Sequence, residues 1–208
     1  MHELIHVRSA LLSAAAMPDD GFTEGQMHRN RSRNFVEALA NSFRLDSKKQ
    51  PNIRVLSRHT DAHRSEFGLN ELLYDVLVCE VAQTKSPRHS RPLTFVRRAI
   101  WQIESEFAAD AREALFDFNK LILGNAPYKL FVGPKTDNDA KFIEALFPAA
   151  QSCSGQVFIA LLPHPSQWHL PLNAAFWRAS GERWVPVQVS SANAANPAYV
   201  DSPTSSRN

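Results

Sequence analysis

The chain has 208 residues, of which 44% are hydrophobic and 21% charged, a composition typical of one globular domain and not of a disordered chain. It contains no run of about 18 uncharged apolar residues, which excludes a membrane span, and Cys79 and Cys153 are too few for a disulfide framework. The net charge is only +2, and these properties together predict a soluble, cytoplasmic protein.

The N-terminal segment ends in small residues, as a signal peptide does, but Glu3 lies where a basic leader should be and Arg8 splits the apolar run. We therefore expect a helix over residues 2–16, followed by a loop at 18–26. The hydrophobic pattern then predicts these elements: a helix at 32–45, strands near 52–58 and at 71–81, a loop at 84–92, a strand from at least 99 to 107, a helix at 109–123, a strand at 128–133, a helix from about 137, a strand at 156–163 and a hairpin at 173–189.

Strands and helices alternate in the middle of this order, which predicts an α/β fold with a central mixed β-sheet flanked by helices. We expect one domain over residues 1–189, including an N-terminal helical segment at 1–48. The tail, 190–208, has few large apolar residues and is predicted to be disordered.

Positive charge is concentrated in one region. Between Gln26 and Arg64 there are nine Lys or Arg residues and three acids. Such a region attracts phosphate backbones without base preference, although an ordinary solvated surface has the same composition.

Two predicted strands carry acidic residues. In LLYDVLV, Asp75 lies among apolar residues, where an unpaired carboxylate would cost several kcal/mol, so it must reach the sheet end, pair with a cation or bind a metal. In IWQIESEF, alternation places Glu104 and Glu106 on one face, about 6–7 Å apart, although a strand with one solvated face has the same pattern. If these strands are neighbours, Asp75 and Glu104 can hold a hard cation such as magnesium.

These segments, with ELLYDVLVCEV, FAADAREALFDFNKLI and YKLFVG around them, resemble the PD-(D/E)XK (restriction-endonuclease-like) nuclease superfamily. The resemblance implies a Mg²⁺ or Mn²⁺ endonuclease that hydrolyses phosphodiester bonds of DNA, with Asp75 as the first metal ligand and Glu104 as the second. Glu106 stands where lysine is usual, as in acid-x-acid members, and its role is that of a general base or a second-metal ligand. Tyr74 replaces the proline that names the family.

The resemblance implies further residues around this site. An additional metal-binding acid is expected at Glu37 or Glu66. Lys120 is expected to touch phosphate, with a solvated helix face as the alternative interpretation. Arg58 and Arg64 of the basic region are expected to bind the nucleic-acid backbone. A homodimer is compatible with the family.

Two alternatives stay open. Because Glu replaces Lys, the chain could be a catalytically inactive nucleic-acid-binding or protein-interaction module on the same fold. It could also be a plain α/β interaction domain in which Asp75 pairs with an arginine.

Overall fold

A computed structural model describes residues 2–16, 22–59, 63–86, 88, 92–169 and 172–189. The predicted tail at 190–208 lies outside these residues. Within the described part of the chain, no helix combines the length and apolar character needed to cross a bilayer.

The α/β fold with a central mixed sheet and flanking helices is confirmed. Five α-helices and seven strands occur in the described residues: α1 (Ile5–Ala15), α2 (Glu24–Ser47), β1 (Ile53–Ser57), α3 (Arg64–Phe67), β2 (Val76–Thr84), β3 (Leu93–Ser105), α4 (Ala111–Leu123), β4 (Tyr128–Pro134), α5 (Asp139–Gln151), β5 (Gln156–Leu162), β6 (Ala175–Ser180) and β7 (Arg183–Pro186).

The strands form one sheet in chain order, β1 to β7. Strands β1, β2 and β3 are antiparallel neighbours. Strands β3, β4 and β5 are parallel, and helices α4 and α5 connect them. Strands β6 and β7 form an antiparallel hairpin beside β5. The β2–β3 pairing opposes Val76 to Ile103, so the beginning of β2 lies beside the end of β3.

Helices cover both faces of the sheet. Helices α1 and α2 pack on one face, where Phe35 and Leu39 meet Trp101 and Ile103 in one buried cluster. Helices α4 and α5 pack on the other face, where Phe118 contacts Phe131 with ring centroids 5.4 Å apart. The strands between them are apolar on both faces because both faces are covered.

Three predicted boundaries are wrong. Helix α2 begins at Glu24 and not at 32, because Thr23 and Gln26 form a capping box that starts the helix in the predicted loop. Strand β2 begins at Val76 and not at 71, because a left-handed residue, Leu73 with φ 70°, turns the chain first. Strand β3 begins at Leu93, which the prediction of a strand from at least 99 allows, but it ends at Ser105 and not at 107.

Other elements agree closely with the predictions. Helix α4 begins after its cap Asp110, whose side chain accepts a hydrogen bond from the Arg112 backbone, and it ends before Gly124. Helix α5 is capped by Asn138, and the terminal hairpin turns at Gly181. The short helix α3 was not predicted from the sequence.

Candidate functional site

Asp75 lies directly before β2, at the end of the sheet. Its Oδ2 accepts hydrogen bonds from the backbone N of Ser105 at 2.9 Å and from Ser105 Oγ at 2.6 Å. The turn that delivers it includes Leu73, whose positive φ costs a non-glycine residue about 1 kcal/mol or more, a kind of strain that clusters at functional sites. Among the described residues no arginine forms an ion pair with Asp75, and the carboxylate is fixed to the end of β3 instead.

Glu104 is almost completely buried on the α4 side of the sheet, at 1% exposure. Its Oε2 accepts a hydrogen bond from Lys120 Nζ at 3.1 Å, while its Oε1 is buried without a hydrogen-bond partner. Burial, and then the negative charge of Asp75, raise the pKa of Glu104 to about 8, against the opposing effect of Lys120. The carboxyl is therefore mostly protonated at neutral pH unless a further cation approaches it.

Lys120 on α4 contacts two acidic side chains. Its Nζ contacts Asp117 Oδ1 at 2.8 Å as well as Glu104, and a third of its side chain is exposed. Burial lowers the pKa of Lys120, but hydrogen bonds to Asp117 and Glu104 outweigh that effect and raise the pKa above its ordinary value. The ammonium group is therefore firmly charged.

Glu106 follows β3 directly and is half-buried. Its Oε1 accepts a hydrogen bond from the backbone N of Ala108 at 2.6 Å. Burial raises the pKa of Glu106; the Ala108 N–H lowers it, and nearby Asp117 raises it again, with a net shift upward. The structure thus brings Glu104, Glu106, Asp117 and Lys120 together on one side of the sheet end, with Asp75 close enough to influence Glu104.

Asp117 is a member of this cluster that the sequence reasoning missed. It lies three residues before Lys120 on α4, and this spacing places both side chains on one helix face. This spacing was the only sign of the pair in the sequence, but it also occurs on helix faces that contact only solvent.

The two candidates for an additional acid lie in different places. Glu66 on α3 is held by Arg54, with Nε–Oε2 and Nη2–Oε1 distances of 2.7 and 3.2 Å. In the pairing of β1 with β2, Arg54 lies opposite Cys79. Cys79 is four residues, or about 13 Å, along the chain from Asp75. Glu37 on α2 acts, like Asp75, to raise the pKa of His59, which lines the cavity beside Asp75.

An open cavity of about 620 Å³ adjoins the Asp75 end of the site, on the α2 side. Its lining includes Asp75 and Ser105, together with three arginines, Arg29, Arg33 and Arg58. Arg58 was expected here from the sequence. Arg64, on α3 with Glu66, is exposed and is not part of the lining.

The number of side chains that could bind a metal ion at this site is small. Within the described ranges, no group of three or more His, Cys, Asp or Glu side chains is arranged to hold a metal ion. The geometry thus offers at most one or two carboxylates to a cation as it stands.

Comparison of the chain with protein-family models, with curated proteins and with solved structures found no match in any of the three.

Proposed function

We propose that the chain is a magnesium-dependent nuclease that hydrolyses phosphodiester bonds of DNA at the Asp75 end of the sheet. One observation carries the proposal: antiparallel pairing of β2 and β3 puts Asp75 and Glu104 at the same sheet end, where a buried Glu104 oxygen has no partner. Buried polar oxygens nearly always have a hydrogen-bond partner, so an unpartnered one beside a second acid favours a cation-binding role.

The residues at this end suit magnesium. Magnesium is commonly bound through one or two carboxylates and keeps several of its waters, so a third protein ligand is not required. Asp75 and Glu104 would hold it, and when bound it would lower the pKa of a coordinated water and offset charge on the phosphate. Manganese has the same preference for oxygen ligands.

The chain's own residues have separable roles in this proposal. Ser105 orients Asp75 through two hydrogen bonds, and Lys120 fixes the Oε2 side of Glu104 so that Oε1 stays free to bind. Glu106, whose pKa is raised by burial, would accept a proton from the attacking water. Arg58 binds the phosphate backbone at the margin of the site.

The test is cleavage of supercoiled DNA in the presence and absence of magnesium. We expect Asp75→Ala and Glu104→Ala each to lower the rate by at least about a hundredfold, as loss of an essential electrostatic group does. Glu144→Ala changes an exposed acid on α5 and serves as the matched control. Circular dichroism of each variant checks that the fold is intact, and magnesium-dependent cleavage retained by both site variants would refute the assignment.

A second candidate is a nucleic-acid-binding module that does not cleave. The observation in its favour is the Lys120 ammonium, which donates a hydrogen bond to Glu104 and repels a second cation from that side. This candidate predicts DNA binding that magnesium does not alter and no cleavage by the wild-type protein.

A further inference from the structure

The basic cavity beside Asp75 is built mainly by α2. The capping box at Thr23 starts this helix early enough to include Arg29 and Arg33, and their spacing of four residues places both on the same helix face. Arg58, just after β1, closes the cavity from the sheet side. Three guanidinium groups from two elements therefore line one concave surface.

The cavity arginines have few acidic partners among the described residues. Neither Arg29 nor Arg33 forms an ion pair with a described residue, and Arg58 has one contact with Glu71 at 4.0 Å, the limit for an ion pair. By contrast, Arg54 is paired with Glu66, and Arg98 with Glu80 at 2.6 Å. Because the three arginines outnumber the single acid of the lining, Asp75, the concave surface has a net positive charge that attracts anions.

His59, which also lines the cavity, reports this field. Burial and then the charges of Arg33 and Arg58 lower the pKa of His59, and Asp75 and Glu37 oppose them, with a net shift downward. The arginine charges thus reach the cavity interior even though Asp75 lies at its edge.

The cavity suits an extended phosphate-bearing ligand. Its volume of about 620 Å³ is in the range of about 300–1,000 Å³ typical of ligand sites and exceeds the needs of one phosphate group. Guanidinium groups bind phosphate in a bidentate manner, and the hydroxyl of Ser32 adds a neutral donor. The lining also includes Asp75 and Ser105, so a phosphate chain held by the arginines lies beside one of the two proposed metal ligands, although Glu104 is not part of the lining.

We propose that this cavity binds the phosphodiester backbone of the nucleic-acid substrate and does so independently of base sequence. Contacts to phosphate position a nucleic acid without reading its bases, and the cations that dominate this lining are of that kind. The proposal rests on the proposed function for the identity of its ligand, but binding here does not require catalysis.

The experiment measures fluorescence anisotropy of two labelled DNA duplexes of unrelated sequence, with EDTA present, over a range of salt concentrations. Wild-type protein is expected to bind both duplexes with affinities within about threefold. The double variant R29A/R33A is expected to bind at least about tenfold more weakly, and the slope of log affinity against log salt should fall by about 2, which corresponds to two phosphate contacts. R183A, which removes an exposed arginine on β7 at the far edge of the sheet, should bind like wild type.

Three results would overturn the inference. One is wild-type affinity in R29A/R33A. Both changed side chains are exposed, and circular dichroism checks that the fold of this variant is intact. Another is strong preference for one duplex. The third is displacement of the duplex by inorganic phosphate at equal concentration, which would identify a small phosphate ligand instead. Because EDTA removes the metal, binding is measured apart from cleavage. A wild-type protein that does not cleave DNA, with weaker binding in R29A/R33A, contradicts only the nuclease proposal. A wild-type protein that cleaves DNA, with unaltered binding in R29A/R33A, contradicts only this one.

Discussion

Replacement of Glu104 by glutamine tests whether this buried carboxyl is held in an unfavourable state. The pKa of Glu104 is about 8 in the folded protein and 4.5 for the ordinary group. Below pH 4.5 both folded and unfolded chains are protonated there and the carboxyl costs nothing. Between pH 4.5 and 8 the unfolded chain ionises while the folded chain stays protonated, so stability falls by about 1.4 kcal/mol per pH unit.

The size of the effect follows from that interval. At pH 7 the term reaches about 3 kcal/mol, and at pH 5 about 1 kcal/mol. Glutamine has nearly the same shape, does not ionise, and its amide oxygen still accepts a hydrogen bond from Lys120. We therefore expect Glu104→Gln to be more stable than wild type by up to about 3 kcal/mol at pH 7 and by about 1 kcal/mol at pH 5.

Urea denaturation at the two pH values, without divalent metal, measures this difference. Glu144→Gln, an exposed change on α5, should leave stability unchanged at both. A Glu104→Gln variant that is less stable than wild type, or whose advantage does not depend on pH, would refute the reasoning. Either result would mean that Glu104 is ionised and stabilised by Lys120.

Two further changes test the surroundings of the site. Lys120→Met removes the cation that contacts Glu104. We expect urea denaturation to show a loss of about 1–2 kcal/mol above pH 8, where Glu104 ionises, and a smaller loss at pH 6. An equal loss at both pH values would contradict the raised pKa of Glu104, and no loss at either pH would contradict the pairing. Phe118→Ala empties a fully buried position against Phe131, and we expect it to cost about 3–5 kcal/mol; a loss below about 1 kcal/mol would contradict the packing of α4 on the sheet.

Part of the candidate site was accessible from local pattern. The alternation in IWQIES correctly put Glu104 on the face opposite Ile103, and α4 was delimited by Asp110 and Gly124. These features depend on neighbours within a few residues, where periodicity and capping chemistry operate.

The remaining features depend on contacts between distant segments. The apolar run before Asp75 was indistinguishable from a strand, and only the turn at Leu73 shows that the acid lies at the sheet end. Arg29 and Arg33 were not placed in a helix, because the predicted helix began at 32. The pairing of Glu66 with Arg54 is a contact across 12 positions of sequence, which no local pattern predicts.

Magnesium binding measured by isothermal titration calorimetry at pH 7, in buffers of different ionisation enthalpy, tests the central claim most directly. A cation that binds Glu104 must displace its proton, because the carboxyl with a pKa of about 8 is mostly protonated at this pH. We predict binding with release of close to one proton per site in wild type, and loss of that release in Glu104→Gln. No detectable binding of magnesium, or the same proton release in Glu104→Gln as in wild type, would contradict the account.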